Sequence, residues 1–200
     1  MRIIAGEARG KKLVSPTDRT SRPPLDQIRK SLFSILEGRY EGRPVLDLFA
    51  GVGAFGLEAA SRGASHVVLV ERAAQAVSAL QTNVENLGFL GRCSVIAGDA
   101  FRGPDLAAVP PPGFALVFLD PPFPFFYDDA GRKRIGTRLQ ELLGSGALAP
   151  DAVIVVRQPR RCREALPVPV AETRRYGASV VCLIEAAEAG TSIPVDGGSV

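Results

Sequence analysis

From residue 44 onward the chain alternates short apolar runs with segments of helical period, and this alternation leaves few folds open. Runs over 45–49, 66–71, 94–97, 114–119 and 152–156 read as strands, with helices over 54–61, 73–87 and 132–143. Strands separated by helices predict an α/β fold, a parallel, doubly wound sheet that binds ligands at the carboxyl ends of its strands. Two further strands, over 168–174 and 179–185, are joined by the turn Arg175-Tyr176-Gly177, so the sheet is expected to end in an antiparallel hairpin.

Residues 1–43 precede this pattern. They read as a short hairpin, 2–5 with 11–14 turning around 6–10, and then a helix over 26–36 whose start is marked by Pro23 and Pro24. The expected organisation is therefore a basic hairpin-and-helix extension over 1–43 and a main domain over 44–185. The tail, 186–200, lacks lysine and arginine and is expected to be poorly ordered. The proline run within 109–113 reads as a loop.

Two hundred residues with 46% hydrophobic content suit one domain with a full core. Cys93, Cys162 and Cys182 are widely spaced, odd in number and free of any CxxC pairing, which argues against a disulfide framework and a zinc site. No metal is expected. Charges and prolines interrupt every apolar run short of a membrane span, so a soluble, cytoplasmic protein is expected. Residues 1–43 hold ten Lys/Arg against five Asp/Glu, a net of +5 in a chain whose total is +3. Such a segment suits a polyanion, with Arg9, Lys11, Lys12, Arg22 and Arg29 as candidate phosphate contacts. The competing explanation is a solvated basic face.

The first chemical motif is Asp47-Leu48-Phe49-Ala50-Gly51-Val52-Gly53-Ala54-Phe55-Gly56, where the first strand runs into a helix. Its glycines permit a tight turn and a close backbone approach to a ligand. Gly51, Gly53 and Gly56 also fit a dinucleotide site, and Glu71 stands 20 residues past Gly51. Asp47 separates the two readings. A carboxylate beside the turn would repel a pyrophosphate and favour S-adenosylmethionine, which brings a cationic sulfonium and an ammonium. Glu71 would then accept from the ribose hydroxyls and Asp99 from the adenine amine, with Phe49, Arg72 and Ala100 flanking them. The structural alternatives are a capping carboxylate for Asp47, a surface acid for Glu71 and a helix cap for Asp99.

After the fourth strand comes Asp120-Pro121-Pro122-Phe123. An exocyclic nitrogen is a poor nucleophile because its lone pair is delocalised. The Asp120 carboxylate and the Pro121 carbonyl can hold its two N–H bonds and turn the lone pair toward a methyl group. Consecutive prolines stiffen the loop and supply no competing donor, and Phe123 offers a face for a planar base. Phe125, Phe126 and Tyr127 add aromatic surface that core packing explains equally well. His66, at the start of a strand, reads as structural.

These motifs resemble the bacterial RsmD family. Arg2-Ile3-Ile4-Ala5-Gly6 and Arg9-Gly10-Lys11-Lys12-Leu13 resemble its N-terminal hairpin, and Arg22-Pro23-Pro24-Leu25-Asp26-Gln27-Ile28-Arg29-Lys30-Ser31-Leu32-Phe33 is similar to the segment that follows it. The resemblance implies a seven-stranded, Rossmann-like class I methyltransferase sheet that transfers a methyl group from S-adenosylmethionine to the N2 amine of a guanine in 16S ribosomal RNA, with the free RNA and the assembling small ribosomal subunit both open as its substrate. Two positions depart from the family pattern. Pro24 stands where Thr or Ser is usual, and Arg157 ends the fifth strand where an acid is expected. Arg157 is assigned to a basic cluster with Arg160, Arg161 and Arg163.

Rival readings remain: an adenine-N6 DNA methyltransferase, a protein-glutamine methyltransferase, a nicotinamide-dependent dehydrogenase, or a non-enzymatic RNA-binding module. The dehydrogenase leaves Asp47 and Asp120-Pro121-Pro122-Phe123 unexplained, and the binding module leaves the cofactor pocket idle.

Overall fold

The computed structural model describes residues 1–16, 23–103, 113–162 and 164–189. Arg22, Arg163, most of the proline loop and the tail beyond 189 lie outside the described residues. In chain order the elements are α1 (Pro23–Ile35), β1 (Pro44–Leu48), α2 (Gly56–Ser61), β2 (His66–Glu71), α3 (Ala74–Leu87), β3 (Cys93–Ala97) and β4 (Phe114–Leu119). There follow a 3-10 turn (Phe123–Phe126), α4 (Asp129–Gly144), β5 (Leu148–Pro159), β6 (Glu172–Tyr176), β7 (Ser179–Glu185) and a helical turn α5 (Ala186–Ala189).

The strands form one seven-stranded sheet in the order β3-β2-β1-β4-β5-β7-β6. All neighbours from β3 to β5 are parallel, and β7 alone runs antiparallel to both of its neighbours. The expected doubly wound sheet with a reversed hairpin at its end is therefore what forms, and it is the class I methyltransferase arrangement. The winding changes direction between β1 and β4, which fixes where a ligand crevice opens.

Every residue of β4 is buried, as expected of a central strand covered on both faces. Alternate side chains enter separate cores. Val45, Leu116 and Phe118 pack with Ile28, Leu32, Phe33, Leu57 and Leu80 on one face. Leu46, Leu48, Val117 and Leu119 pack with Ile135, Leu139 and Leu142 of α4 on the other.

Several boundaries differ from the sequence reading. β5 spans twelve residues because it pairs with β4 on one side and β7 on the other. α4 begins at Asp129 because Asp128 caps it, accepting from the Gly131 N–H at 2.7 Å. The β6–β7 turn is Gly177-Ala178, with Tyr176 still paired to Ser179. Residues 186–189, expected to begin a poorly ordered tail, form α5. The N-terminal hairpin reduces to a single bridge, Arg2 with Lys12, plus backbone bonds such as Leu13 N–H to the Met1 carbonyl.

That N-terminal segment is fastened to α2. Glu58 accepts from the Ile4 and Ala5 N–H groups at 2.7 and 3.0 Å, and Ser61 Oγ accepts from Ala8 N–H. Gly6 permits the approach: at φ +81, a Cβ there would lie 1.8 Å from the Ser61 carbonyl oxygen. Arg29 is fully buried at 0% exposure, donating to the carbonyls of Arg2 and Ala54 and to Asp26, with Glu58 at 3.6 Å. It joins the extension to the domain, which corrects its assignment as a phosphate contact. Asn83 makes a similar tie, accepting from Val14 N–H and donating to the carbonyls of Val14 and Val52.

Candidate active site

At the carboxyl ends of the parallel strands lies a cleft of about 310 Å³. Five strands contribute to it in turn: Phe49 and Gly51 after β1, Glu71 at the end of β2, Gly98 and Ala100 after β3, Asp120 after β4, and Arg157 within β5. Arg72, Val70, Pro122 and Phe125 complete the lining.

The glycine turn is tight. Phe49 is the one non-glycine residue with positive φ among the described residues, at 67°, and Gly53 N–H closes onto the Ala50 carbonyl at 2.8 Å. A bulky residue held in that region stores strain, which is common at ligand sites. Gly51 faces the cleft with open space where a Cβ would sit. Gly53 and Gly56 serve packing instead, since a Cβ on either would press on Leu57 and Leu80 or on Leu69 at about 2.5 Å.

Glu71 is held rigidly. Its Oε2 accepts from Gly51 N–H at 2.9 Å, and Oε1 accepts from the N–H groups of Arg72 and Ala73. A carboxylate has about four acceptor sites, so these three bonds leave capacity for one more donor from the cleft.

Asp47 departs from the expectation drawn for it. It is 1% exposed and absent from the cleft lining, and its Oδ2 accepts from Gly56 N–H at 2.8 Å. It caps the start of α2, the structural alternative considered above. Burial pushes its carboxyl up to about 8, against the Gly56 hydrogen bond and with added repulsion from Asp120 and Glu71. A buried Asp47 of this kind no longer discriminates against a pyrophosphate.

Asp99 is likewise engaged. Its Oδ1 accepts from Phe101 N–H at 3.1 Å, and Oδ2 pairs with Arg134 at 3.1 Å. Gly98 and Ala100 line the cleft on either side of it. Arg134 in turn lies 4.1 Å from the Phe101 ring centre, and Phe101 bridges edge-on to Phe49 and Phe125. Phe125 thus belongs to an aromatic wall of the cleft, whereas Phe126 is buried in the core.

Asp120 stands at the switch point between β1 and β4, its side chain 16% exposed. Both of its oxygens are taken by Arg157, with Nε to Oδ1 at 2.8 Å and Nη2 to Oδ2 at 3.0 Å. The same guanidinium lies over Phe123, 4.8 Å from the ring centre, and Nη1 reaches Ser179 Oγ. Arg157 therefore does not belong with the exposed arginines, contrary to the expectation from sequence. Burial raises the Asp120 carboxyl above the ordinary range, and the charge and hydrogen bonds of Arg157 oppose that rise. The strand register explains the encounter, since Leu119 pairs with Val156 and the next residues are Asp120 and Arg157.

Pro121 is buried and Pro122 exposed, and the Pro122 carbonyl accepts from Phe125 N–H at 3.0 Å. Arg9, Lys11 and Lys12 are exposed, as a phosphate-binding role requires. Among the described residues no cluster of three or more acids, histidines and cysteines could hold a metal ion. No described helix is long and apolar enough to cross a membrane.

The model of a family described as conserved hypothetical protein 95 matches residues 1–185. The chain belongs to this family, the RsmD family. A relative within it, ribosomal RNA small subunit methyltransferase D of Escherichia coli strain K12, is 36% identical over 158 residues, covering 78% of this chain and 73% of that protein. The structure of a hypothetical protein from Thermus thermophilus is 34% identical, covers 92% of this chain and 99% of its own, and superposes with a TM-score of 0.73. An RNA methyltransferase of Salinibacter ruber, solved with S-adenosyl-L-homocysteine, shares the fold at 18% identity and a TM-score of 0.61, covering 86% of this chain and 97% of its own. RsmD-family membership thus rests on nearly the whole described chain.

Proposed function

We propose that this RsmD-family chain is a methyltransferase acting on ribosomal RNA, with S-adenosylmethionine as donor and the N2 amine of a guanine in 16S RNA as acceptor. The observation that carries the reading is Asp120, a carboxylate at the end of β4 that opens into the same cleft as Gly51 and Glu71 and stands beside Phe123. The name of the Escherichia coli relative supports the small-subunit RNA as substrate.

The cleft residues suit the donor. Gly51 would admit its close approach, Glu71 has one acceptor site to offer a ribose hydroxyl, and the Phe49 and Phe125 rings would border the adenine. Bound there, S-adenosylmethionine supplies a methyl group on a cationic sulfonium.

Arg157 occupies the place of the acceptor. A guanidinium is a planar donor pair, as is the N1–H and N2–H edge of guanine, so the entering base exchanges like for like on Asp120 and Phe123. The Asp120 carboxylate and the Pro121 carbonyl then take the two N2–H bonds and free the nitrogen lone pair from the ring. With the methyl group presented in this way, Asp120 would stabilise the positive charge that develops on the acceptor nitrogen. The surplus proton leaves to water.

The decisive experiment maps N2-methylguanine in ribosomal RNA from cells with and without this protein. Loss of one modified guanine on deletion, restored by the gene, is the expected result. If every N2-methylguanine persists and a different modified nucleotide disappears, the acceptor is another one. Calorimetry against a nicotinamide dinucleotide separates the dehydrogenase reading.

A further inference from the structure

Beyond the cleft, on the outer side of Phe123, lies a second cavity of about 770 Å³ lined by Phe123, Tyr127, Pro159, Arg160, Arg161 and Ala178. We infer that this cavity binds a nucleotide adjacent to the target guanine in single-stranded RNA. The inference rests on the proposed function and specifies the state of its substrate.

Phe123 makes the connection. Its ring carries the Arg157 guanidinium that reaches Asp120, and it also lines the outer cavity. An RNA strand whose target base displaces Arg157 must therefore place a neighbouring nucleotide against the outer cavity.

The lining suits that occupant. Tyr127 is 58% exposed, one of four large hydrophobic residues that are exposed among the described residues. Its neighbour Phe126 is buried, so the exposure is particular to this side chain. An exposed aromatic ring beside arginines is the usual platform for an unpaired base and its phosphate. The arginines are free to serve. Among the described residues, Arg132, Arg134, Arg138 and Arg157 each hold an acid, whereas the side chains of Arg160 and Arg161 are exposed and have no hydrogen bond or ion pair.

The site is also fixed in place. The Arg160 N–H donates to the Ala178 carbonyl at 2.8 Å, which ties the end of β5 to the β6–β7 turn. On the other side, Tyr127 N–H donates to the Pro124 carbonyl at 3.0 Å, holding the end of the 3-10 turn. An ordered concave surface of opposite charge to phosphate spares part of the ordering cost of binding.

The test uses the full chain, a fluorescent single-stranded RNA of about ten nucleotides containing one guanine, and the variants Tyr127→Ala and Arg160→Ala/Arg161→Ala. All three side chains are exposed, so both variants are expected to fold. Tyr127→Ala is expected to weaken RNA binding about 5- to 100-fold. Removing one flanking base, to leave an abasic position, should produce a similar loss in the wild type and none in Tyr127→Ala. The double variant should flatten the salt dependence by about one to two charges. In methylation assays KM for RNA rises while kcat stays within about threefold. Affinities within twofold of wild type in both variants, or an equal loss from abasic positions in wild type and Tyr127→Ala, would overturn the subsite. So would a defect confined to assembled subunits, which would assign the cavity to a protein partner. Failure of the wild type to methylate ribosomal RNA, both free and within small ribosomal subunits, sinks the proposed function instead, and the binding arms still decide the cavity.

Discussion

Arg157 grips Asp120 through two hydrogen bonds, at 2.8 and 3.0 Å, while stacking 4.8 Å from the centre of the Phe123 ring. One side chain thus engages both groups proposed to hold the acceptor base, and the buried carboxylate stays paired.

Arg157→Gln tests that relationship. Losing the opposing positive charge should let burial raise the Asp120 carboxyl further, so the acidic limb of the kcat/KM profile moves to higher pH. Removing a competitor for Asp120 should also lower KM for RNA. A profile and a KM identical to wild type would show that Arg157 leaves Asp120 unaffected.

Asp120→Ala should bind RNA and cofactor almost normally and lose about 100- to 1000-fold in single-turnover rate, because the charge it stabilises develops in the transition state. Asp120→Asn retains an acceptor oxygen without the charge and should keep partial activity. A rate for Asp120→Ala within a few-fold of wild type would remove Asp120 from the chemistry.

Glu71→Ala should weaken S-adenosylmethionine binding by about 1 to 3 kcal/mol in calorimetry, through the lost acceptor and the released Gly51 N–H. RNA affinity should stay within about twofold. Unaltered cofactor affinity would exclude Glu71 from the site.

Asp47→Asn probes stability and not catalysis. The carboxyl titrates near 8 in the folded chain and near 4 when unfolded, so the folded state holds a proton that the unfolded state releases between those values. Folding stability from this group is full below pH 4 and declines as pH rises toward 8. Asn carries no such proton, so its Tm relative to wild type should improve by about 2 °C or more between pH 5 and pH 8. A difference that stays constant across that range would mean that Asp47 is ionised in the fold.

Arg29 and the exposed lysines should separate cleanly. Arg29→Met leaves Asp26 and two carbonyls short of a donor, removes the positive charge beside the buried Glu58, and is expected to cost about 3 kcal/mol, roughly 6 to 12 °C in Tm. Lys11→Gln with Lys12→Gln should leave Tm within about 1 °C and reduce the salt slope of RNA binding by about two. If the lysine variant binds RNA with the wild-type slope, that face is merely solvated.

The sheet was legible because strand and helix periods differ, and 66–71, 114–119 and 179–185 were read to the residue. Glu71 was legible too, since a strand end after a glycine turn places an acid in the crevice whatever the details. Asp47 was not, because spacing puts it near the turn without saying which way its carboxylate points. Arg157 could be noticed as an unexpected residue, but its meeting with Asp120 depends on the β4–β5 register, which joins residues 37 apart. Arg29 carried a charge that suggested solvent, and only the packing of the extension on α2 reveals why it is buried.

The central pairing of the sheet, β1 with β4, joins Val45 to Leu116. As the chain emerges from synthesis, β1 can pair with β2 early, but its other edge stays open until more than half of the residues have been made. An open edge of that kind invites association with other chains. Closing it also brings Asp120 beside the glycine turn, since Asp120 N–H reaches the Leu48 carbonyl. The half-made protein therefore carries a glycine loop without the carboxylate proposed to act beside it, and the step that ends its exposure to aggregation is the step that first completes the proposed site.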